Sequence, residues 1–239
     1  MANNLKGYLY LIPVSLTDDN KSRTIPSYNI EVLNTISIFI VENIKTARRN
    51  LRAMGFNKPF PEVTLYEIDK HNDKEETYLF IDDCKKGFHV GLMSESGLPC
   101  IADPGNKFVI KAHNNDIKVV PLTGASSIFL ALMASGLNGQ HFEFHGYLPI
   151  DKSLLSKKIK ELEKSSNINR QTQIFIETPY RNDKLFSSLL NSCREETLLC
   201  IATELTSDKE FIKTYTIRDW KNKTINIDKK NTVFLLQSS

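Results

Sequence analysis

The chain has 239 residues, 41% hydrophobic and 25% charged, an ordinary balance for a globular protein that can bury one large core or two modest ones and fold unaided. A net charge of +3 is too small to identify a nucleic-acid partner by itself, and the four widely spaced cysteines, with no C-x-x-C pair or Cys/His cluster, read as thiols in a reducing cytoplasm. No apolar run approaches the roughly 20 residues of a membrane-spanning helix, and the amino end enters a strand-like segment without a small-residue cleavage site, so neither a span nor a signal peptide is expected.

Apolar, β-rich runs alternate with helical periodicity from the start, the pattern of a mostly parallel sheet covered by helices. Residues 8–14 read as a first strand, followed by a polar insertion over 17–27. Ile30, Leu33 and Ile36 or Ser37 suggest a helix that runs into a strand over 38–41. Ala47, Leu51 and Met54 stand at i, i+4 and i+7 of a clearer helix stopped by Gly55. A helix over 75–86 places Thr77, Phe80, Ile81 and Cys84 on one face and ends at Gly87. A strand at 90–93, a helix after Pro104-Gly105 and a strand at 117–120 complete one doubly wound domain, residues 1–121. The pattern then changes to an unusually apolar helix over 125–135 followed by short strands. Strands at 172–177, 198–204, 211–217 and 232–237, with helices at 154–164 and 182–191, predict a second α/β domain over 122–239 with more antiparallel pairing.

Two of these strands empty into small-residue turns. The strand at 90–93 leads into Ser94-Glu95-Ser96-Gly97, and the strand at 117–120 into Pro121-Leu122-Thr123-Gly124-Ala125-Ser126-Ser127. In an open α/β sheet, backbone N–H groups and helix N-termini converge beyond the carboxyl ends of the strands, which makes that crevice the expected ligand site. Neither G-x-G-x-x-G nor G-x-x-x-x-G-K-[ST] is present, which argues against the usual nucleotide ligands. Lys45, Arg48, Arg49 and Arg52 fall at i, i+3, i+4 and i+7, a cationic stripe beside the apolar one. Further positive charge lies at Lys152, Lys157, Lys158, Lys160 and Lys164, with Arg181 beside Glu177; such a surface suits phosphates and predicts binding that weakens with salt. His71, His89, His113, His141 and His145 lack metal-ligand partners at helical or hairpin spacing, so they read as structural and no metal is expected.

SESGLPCIADPG, VVPLTGASS with ALMASGL, HGYLP, FIETPYR and ATELT occur in the order and approximate spacing of motifs in the tetrapyrrole (corrin/porphyrin) methylase family, which the chain resembles over nearly its whole length. FIVENIKTARRNL and FIETPYR resemble segments of that family's branch acting on ribosomal RNA of the small subunit, and the G-x-G-P-G-D first loop of the tetrapyrrole enzymes is absent. The resemblance implies a two-domain class III methyltransferase fold, usually a homodimer, with S-adenosyl-L-methionine in the cleft between domains. It implies Pro13, Ser94, Ile101, Ala102, Ser126 and Ser127 as cofactor contacts. The chemistry of the segment suits that donor. Gly97 and Gly124 permit close backbone approach, Ala125, Ser126 and Ser127 lead into a helix N-terminus, and Glu95 and Asp103 are acceptors for an ammonium or ribose hydroxyls. Ile101, Ala102, Leu132 and Met133 offer apolar surface for adenine.

The RNA branch implies 2'-O-methylation of a cytidine ribose in 16S ribosomal RNA, with ribosomal RNA or the small ribosomal subunit as partner. Because a ribose hydroxyl is a poor nucleophile, a base near its proton helps; Glu42, ending the second strand, and Glu177, ending IFIE, are the candidates, with Arg181 positioning phosphate. For either carboxylate the competing reading is an ion pair, Glu42 with Arg48 or Glu177 with Arg181. Two departures from the family pattern stand out. The first loop, Ile12-Pro13-Val14-Ser15-Leu16-Thr17, has no glycine, and Asn43 stands where an acidic residue is usual. The alternatives are a methylase of a tetrapyrrole, which is also polyanionic, and a non-catalytic relative that binds the cofactor or RNA.

Overall fold

The structure is a computed structural model that describes residues 6–17, 24–68 and 79–238; most of the polar insertion, His71 and residues 75–78 of the expected third helix lie outside the described residues. The chain divides into two compact units, Met1–Ser126 and Ser127–Ser239.

In the first unit, strands β1 (Leu9–Ile12), β2 (Ile38–Val41), β3 (Thr64–Glu67), β4 (Val90–Met93) and β5 (Val119–Pro121) form a sheet in the order β3-β2-β4-β1-β5. Every pairing is parallel. Parallel sheets are covered on both faces, so their inner strands are apolar throughout, and β4 is buried at each of its four positions. Helices α1 (Ser27–Leu33), α2 (Ile44–Ala53), α3 (Asp82–Lys85) and α4 (Asn106–Asn114) connect the strands. Phe39, Leu51 and Met54 belong to one apolar cluster, and Ile40, Phe108 and Ala112 to another.

Local chemistry sets the boundaries. Asn43 Oδ1 accepts from the backbone N–H and the hydroxyl of Thr46, each at 3.0 Å, and so caps α2. Asparagine caps a helix about as well as aspartate, which accounts for Asn43 at that position. Gly55, at φ +91°, supplies the left-handed stop. Strand β1 is shorter than expected because Pro13 has no N–H to donate; Val14 instead forms an isolated antiparallel bridge with Gly97. Strand β5 starts two residues later than expected. Asp116 is left-handed at φ +51° and the Ile117 N–H returns 2.9 Å to the Ala112 carbonyl, so this residue closes α4. Helix α3 is one turn, seated by the buried Ile81 and Cys84, while Leu79 stays half exposed. Strand β3 was not anticipated; it is an edge strand, exposed at Thr64 and Glu67.

The second unit runs α5 (Ser127–Ser135), β6 (Phe142–Tyr147), α6 (Lys152–Asn169), β7 (Thr172–Ile176), α7 (Asn182–Ser192), β8 (Leu198–Thr203), β9 (Phe211–Thr216), α8 (Ile217–Trp220) and β10 (Thr232–Gln237). Its sheet has the order β6-β7-β10-β8-β9. Only β6–β7 is parallel, so the sheet is mixed as expected. Helix α6 is longer than its apolar spacing suggested: Asp151 accepts from the Ser153 and Leu154 N–H groups at 3.0 and 2.9 Å, and left-handed Arg170 ends it. Phe175, Ile201, Phe234 and Trp220 lie in the core on one face of this sheet. Among the described residues no helix is long and apolar enough to cross a membrane.

Candidate functional site

Strands β4, β1 and β5 are neighbours, so the loops leaving their carboxyl ends meet. Val14 and Gly97 exchange both backbone hydrogen bonds, at 2.8 and 2.9 Å, and the Ser96 hydroxyl donates to the Ser15 carbonyl at 3.3 Å. Gly97 takes φ +73° at this bridge, a left-handed turn that glycine allows. Gly124 packs so tightly on Pro13 that an added Cβ would lie 2.2 Å from the proline Cβ. Leu98 Cδ2 would be 3.7 Å from that same point. Pro13, Gly97 and Gly124 therefore share one place.

Two buried asparagines fasten these loops, and the sequence reading missed both. Asn50, on α2, donates to the Glu95 carbonyl at 3.2 Å. Asn29, on α1 and only 1% exposed, donates 2.8 Å to the Thr123 carbonyl, while its Oδ1 is buried without a hydrogen-bond partner. The available signal was a polar residue on an apolar face: Asn50 follows Ala47 by three and precedes Met54 by four.

The loop from Ser94 to Gly105 holds most of the expected cofactor contacts. Ser94 is buried and its hydroxyl donates to the Ser96 carbonyl at 3.1 Å. Cys100 and Ala102 both adopt left-handed backbone, at φ +68° and +62°, although neither is glycine. Each such residue costs on the order of 1 kcal/mol or more and is kept where the surrounding structure imposes it, most often at ligand sites. Ile101 and Ala102 are exposed, Glu95 is exposed and Asp103 half-buried. After β5, Gly124 and Ala125 are half-buried and Ser126 is buried; Ser127 opens α5 and belongs to the second unit. On α5, Leu132 is buried and Met133 is 77% exposed.

The cationic stripe on α2 divides by duty. Lys45, Arg48, Arg49 and Arg52 are all exposed. Arg52 donates to the Phe56 and Lys58 carbonyls at 2.6 and 2.8 Å and lies 4.3 Å from the Phe60 ring centroid, so it clamps the turn after its own helix. Arg48 lies 5.4 Å from the same ring.

The two candidate carboxylates belong to different units. Glu42 is buried at the end of β2, immediately before the α2 cap. Glu177, in the second unit, accepts from Arg181 Nη2 at 2.6 and 2.5 Å and from the Thr178 N–H at 2.6 Å, the ion pair weighed against a catalytic role. Three histidines make contacts within the fold: His89 Nδ1 accepts from the Tyr8 N–H at 3.0 Å, His145 Nε2 meets Gln173 Oε1 at 2.6 Å and His141 Nδ1 meets the Asn169 carbonyl at 3.1 Å. Among the described residues no group of three or more His, Cys, Asp or Glu is placed to hold a metal. Burial pushes the thiols of Cys84 and Cys193 up to about 12, so neither is a nucleophile at neutral pH.

A parallel sheet with crowded strand ends, followed by a mixed sheet, defines the class III methyltransferase architecture. Two solved structures share it: the methyltransferase CobJ, with a TM-score of 0.63, 16% identity and coverage of 98% of this chain and 95% of that one, and the cobalt precorrin-4 methyltransferase CbiF, with a TM-score of 0.60, 14% identity and coverage of 96% and 94%. The chain belongs to the tetrapyrrole (corrin/porphyrin) methylase family, whose model matches residues 29–220, and it is a methyltransferase. Among curated relatives, the ribosomal RNA small subunit methyltransferase I of Pasteurella multocida (strain Pm70) is 27% identical over 98% of this chain and 80% of its own length. The protein of that name from Buchnera aphidicola subsp. Acyrthosiphon pisum is 30% identical over 90% of this chain and 73% of its own.

Proposed function

We propose that this protein transfers a methyl group from S-adenosyl-L-methionine to the ribose 2'-hydroxyl of a cytidine in 16S ribosomal RNA. The observation that carries the reading is the meeting of the loops after β1, β4 and β5 in a chain whose curated relatives are named for the small-subunit RNA. The tetrapyrrole enzymes share the fold at 14–16% identity, which speaks to architecture alone.

The residues suit the donor. Asn29 Oδ1, an unpartnered acceptor beside the Thr123 carbonyl, is of the kind an ammonium group needs. The left-handed backbone at Cys100 and Ala102 reshapes the loop that would receive the ribose and adenine, and the buried Ser94 and Ser126 add hydroxyls. When bound, the donor supplies an electrophilic methyl carbon whose sulfur leaves without needing an acid. The chain's part is alignment and proton removal. Glu42 is the base in this reading, taking the 2'-hydroxyl proton on its carboxylate: it stands at the end of β2 in the same unit as the loops that would receive the donor. Lys45 and Arg48 hold the RNA backbone.

The test has two arms. Nucleoside mass spectrometry of 16S RNA from cells lacking the protein should show one 2'-O-methylcytidine lost and restored on complementation. Purified protein with labelled donor should label small subunits or 16S RNA and leave uroporphyrinogen unlabelled. An unchanged ribose-methylation profile removes the RNA reading, and label on uroporphyrinogen alone replaces it with the tetrapyrrole one.

A further inference from the structure

The second unit contains a cavity of about 460 Å³, lined by residues that include Thr203, Phe211, Tyr215, Trp220, Lys223 and Lys230. It is built where β8 ends, β9 begins and the segment after α8 returns toward β10. Its size falls within the roughly 300–1,000 Å³ span of small-molecule sites. The lining combines three chemistries. Phe211 and Tyr215 lie four apart on β9, so alternation puts both rings on one face of the sheet. Phe211 is 39% exposed, which leaves ring surface available. Lys223 Nζ lies 4.4 Å from the Tyr215 ring centroid, and Lys230 stands half-buried just before β10. Trp220 forms the rear wall, edge-on to Tyr215 at 5.0 Å, with its Nε1 donating to the Leu199 carbonyl at 2.8 Å.

The decisive group is Thr203. It is 1% exposed, and its buried hydroxyl has no hydrogen-bond partner. A hydroxyl left unpaired in an interior destabilises the fold, and the exceptions to satisfaction are characteristically sites that something else completes. Aromatic faces, ammonium groups and an unpaired hydroxyl together suit a nucleotide: a base stacks, a phosphate pairs, and a base edge or a ribose hydroxyl takes the remaining hydrogen bond.

We infer that this cavity holds a single unpaired nucleotide of the RNA strand. The base lies against Phe211 and Tyr215, Lys223 and Lys230 neutralise its phosphate, and Thr203 bonds its polar edge. A duplex cannot present a base this way. The assignment rests on RNA being the acceptor for the source of the nucleotide, and the experiment separates the two claims.

Trp220 is the chain's single tryptophan, so its emission reports on the cavity wall. Protein without methyl donor is titrated with cytidine 5'-monophosphate, a single-stranded hexaribonucleotide, the same hexamer as a duplex, and inorganic phosphate. The mononucleotide and the single strand should shift the emission saturably; duplex and phosphate should not. Thr203→Val and Lys223→Gln should each weaken binding of the single strand about fivefold to tenfold, and Thr203→Val should melt no lower than the parent because it deletes an unsatisfied group. An emission unmoved by every probe, equal response to phosphate or duplex, or unchanged affinity in both variants overturns the assignment. Methyl transfer to 16S RNA without a Trp220 response sinks the cavity alone, whereas a response without transfer keeps the cavity and sinks the RNA-methylation reading.

Discussion

Glu42 and Glu177 were indistinguishable in the sequence, each an acidic residue at the end of a strand with an arginine a few positions on. Arg181 reaches both oxygens of Glu177, a geometry that spacing does not contain. Replacing Glu42 by Gln should lower kcat about 10²- to 10⁴-fold, the expected loss for a general base. Arg181→Met should act on stability instead, leaving the buried Glu177 carboxylate without its cation at a cost of about 3 kcal/mol. Single-turnover methylation and thermal melts on the two variants separate these outcomes; if Glu42→Gln keeps full turnover, the base lies elsewhere. Gly97 and Gly124 could be read from the sequence because turn chemistry favours glycine wherever it occurs. Asn29 and Asn50 could not, since a buried amide is defined by the carbonyl across from it, and Thr123 and Glu95 are far away in the chain.

Helix α2 shows how far an element can be read from periodicity. Its apolar face and its glycine stop follow from local spacing, and the structure has both. The cationic face was visible too, but as four equal residues. Arg52 is distinguished only by the carbonyls of Phe56 and Lys58, which come into reach after the chain turns. Lys45→Gln and Arg48→Gln should each reduce the salt dependence of RNA binding, lowering the slope of log K against log salt by roughly 0.7–0.9 per lost phosphate contact. Filter binding at several ionic strengths measures this; slopes equal to the parent's would remove α2 from the RNA interface. Arg52→Gln should leave the slope near the parent's and lower the melting temperature. The edge strand β3 escaped notice for a related reason: one side of it faces no strand, and half-exposed residues blur the pattern that marks an inner strand.

For the molecule as a whole, alternation of strands and helices revealed the parallel first sheet, since each crossover leaves a local record. The second sheet's order was not legible, because β10 joins β7 and β8 through antiparallel registers that no local pattern encodes. If the loops of the first unit hold the methyl donor, its product S-adenosylhomocysteine should stabilise the fold by mass action, by about 2.7 kcal/mol at a hundred times its Kd. For domains of 150–250 residues this corresponds to a rise of roughly 5–11 °C in the melting transition. Calorimetry with and without the ligand checks it, and no shift at saturating concentration would argue against donor binding.

The place of β10 between β7 and β8 also governs how the protein is made. All five strands of the first sheet end by Pro121, so they clear the ribosome while the carboxyl half is still being made and the first half can close early. The second cannot: β7 and β8 flank a gap until residues 232–237 emerge, and in the interval both present unpaired backbone to their surroundings. Translation pausing or chaperone shortage should therefore harm the carboxyl half first, turning nascent chains stalled before Thr232 into the aggregation-prone species of its biogenesis.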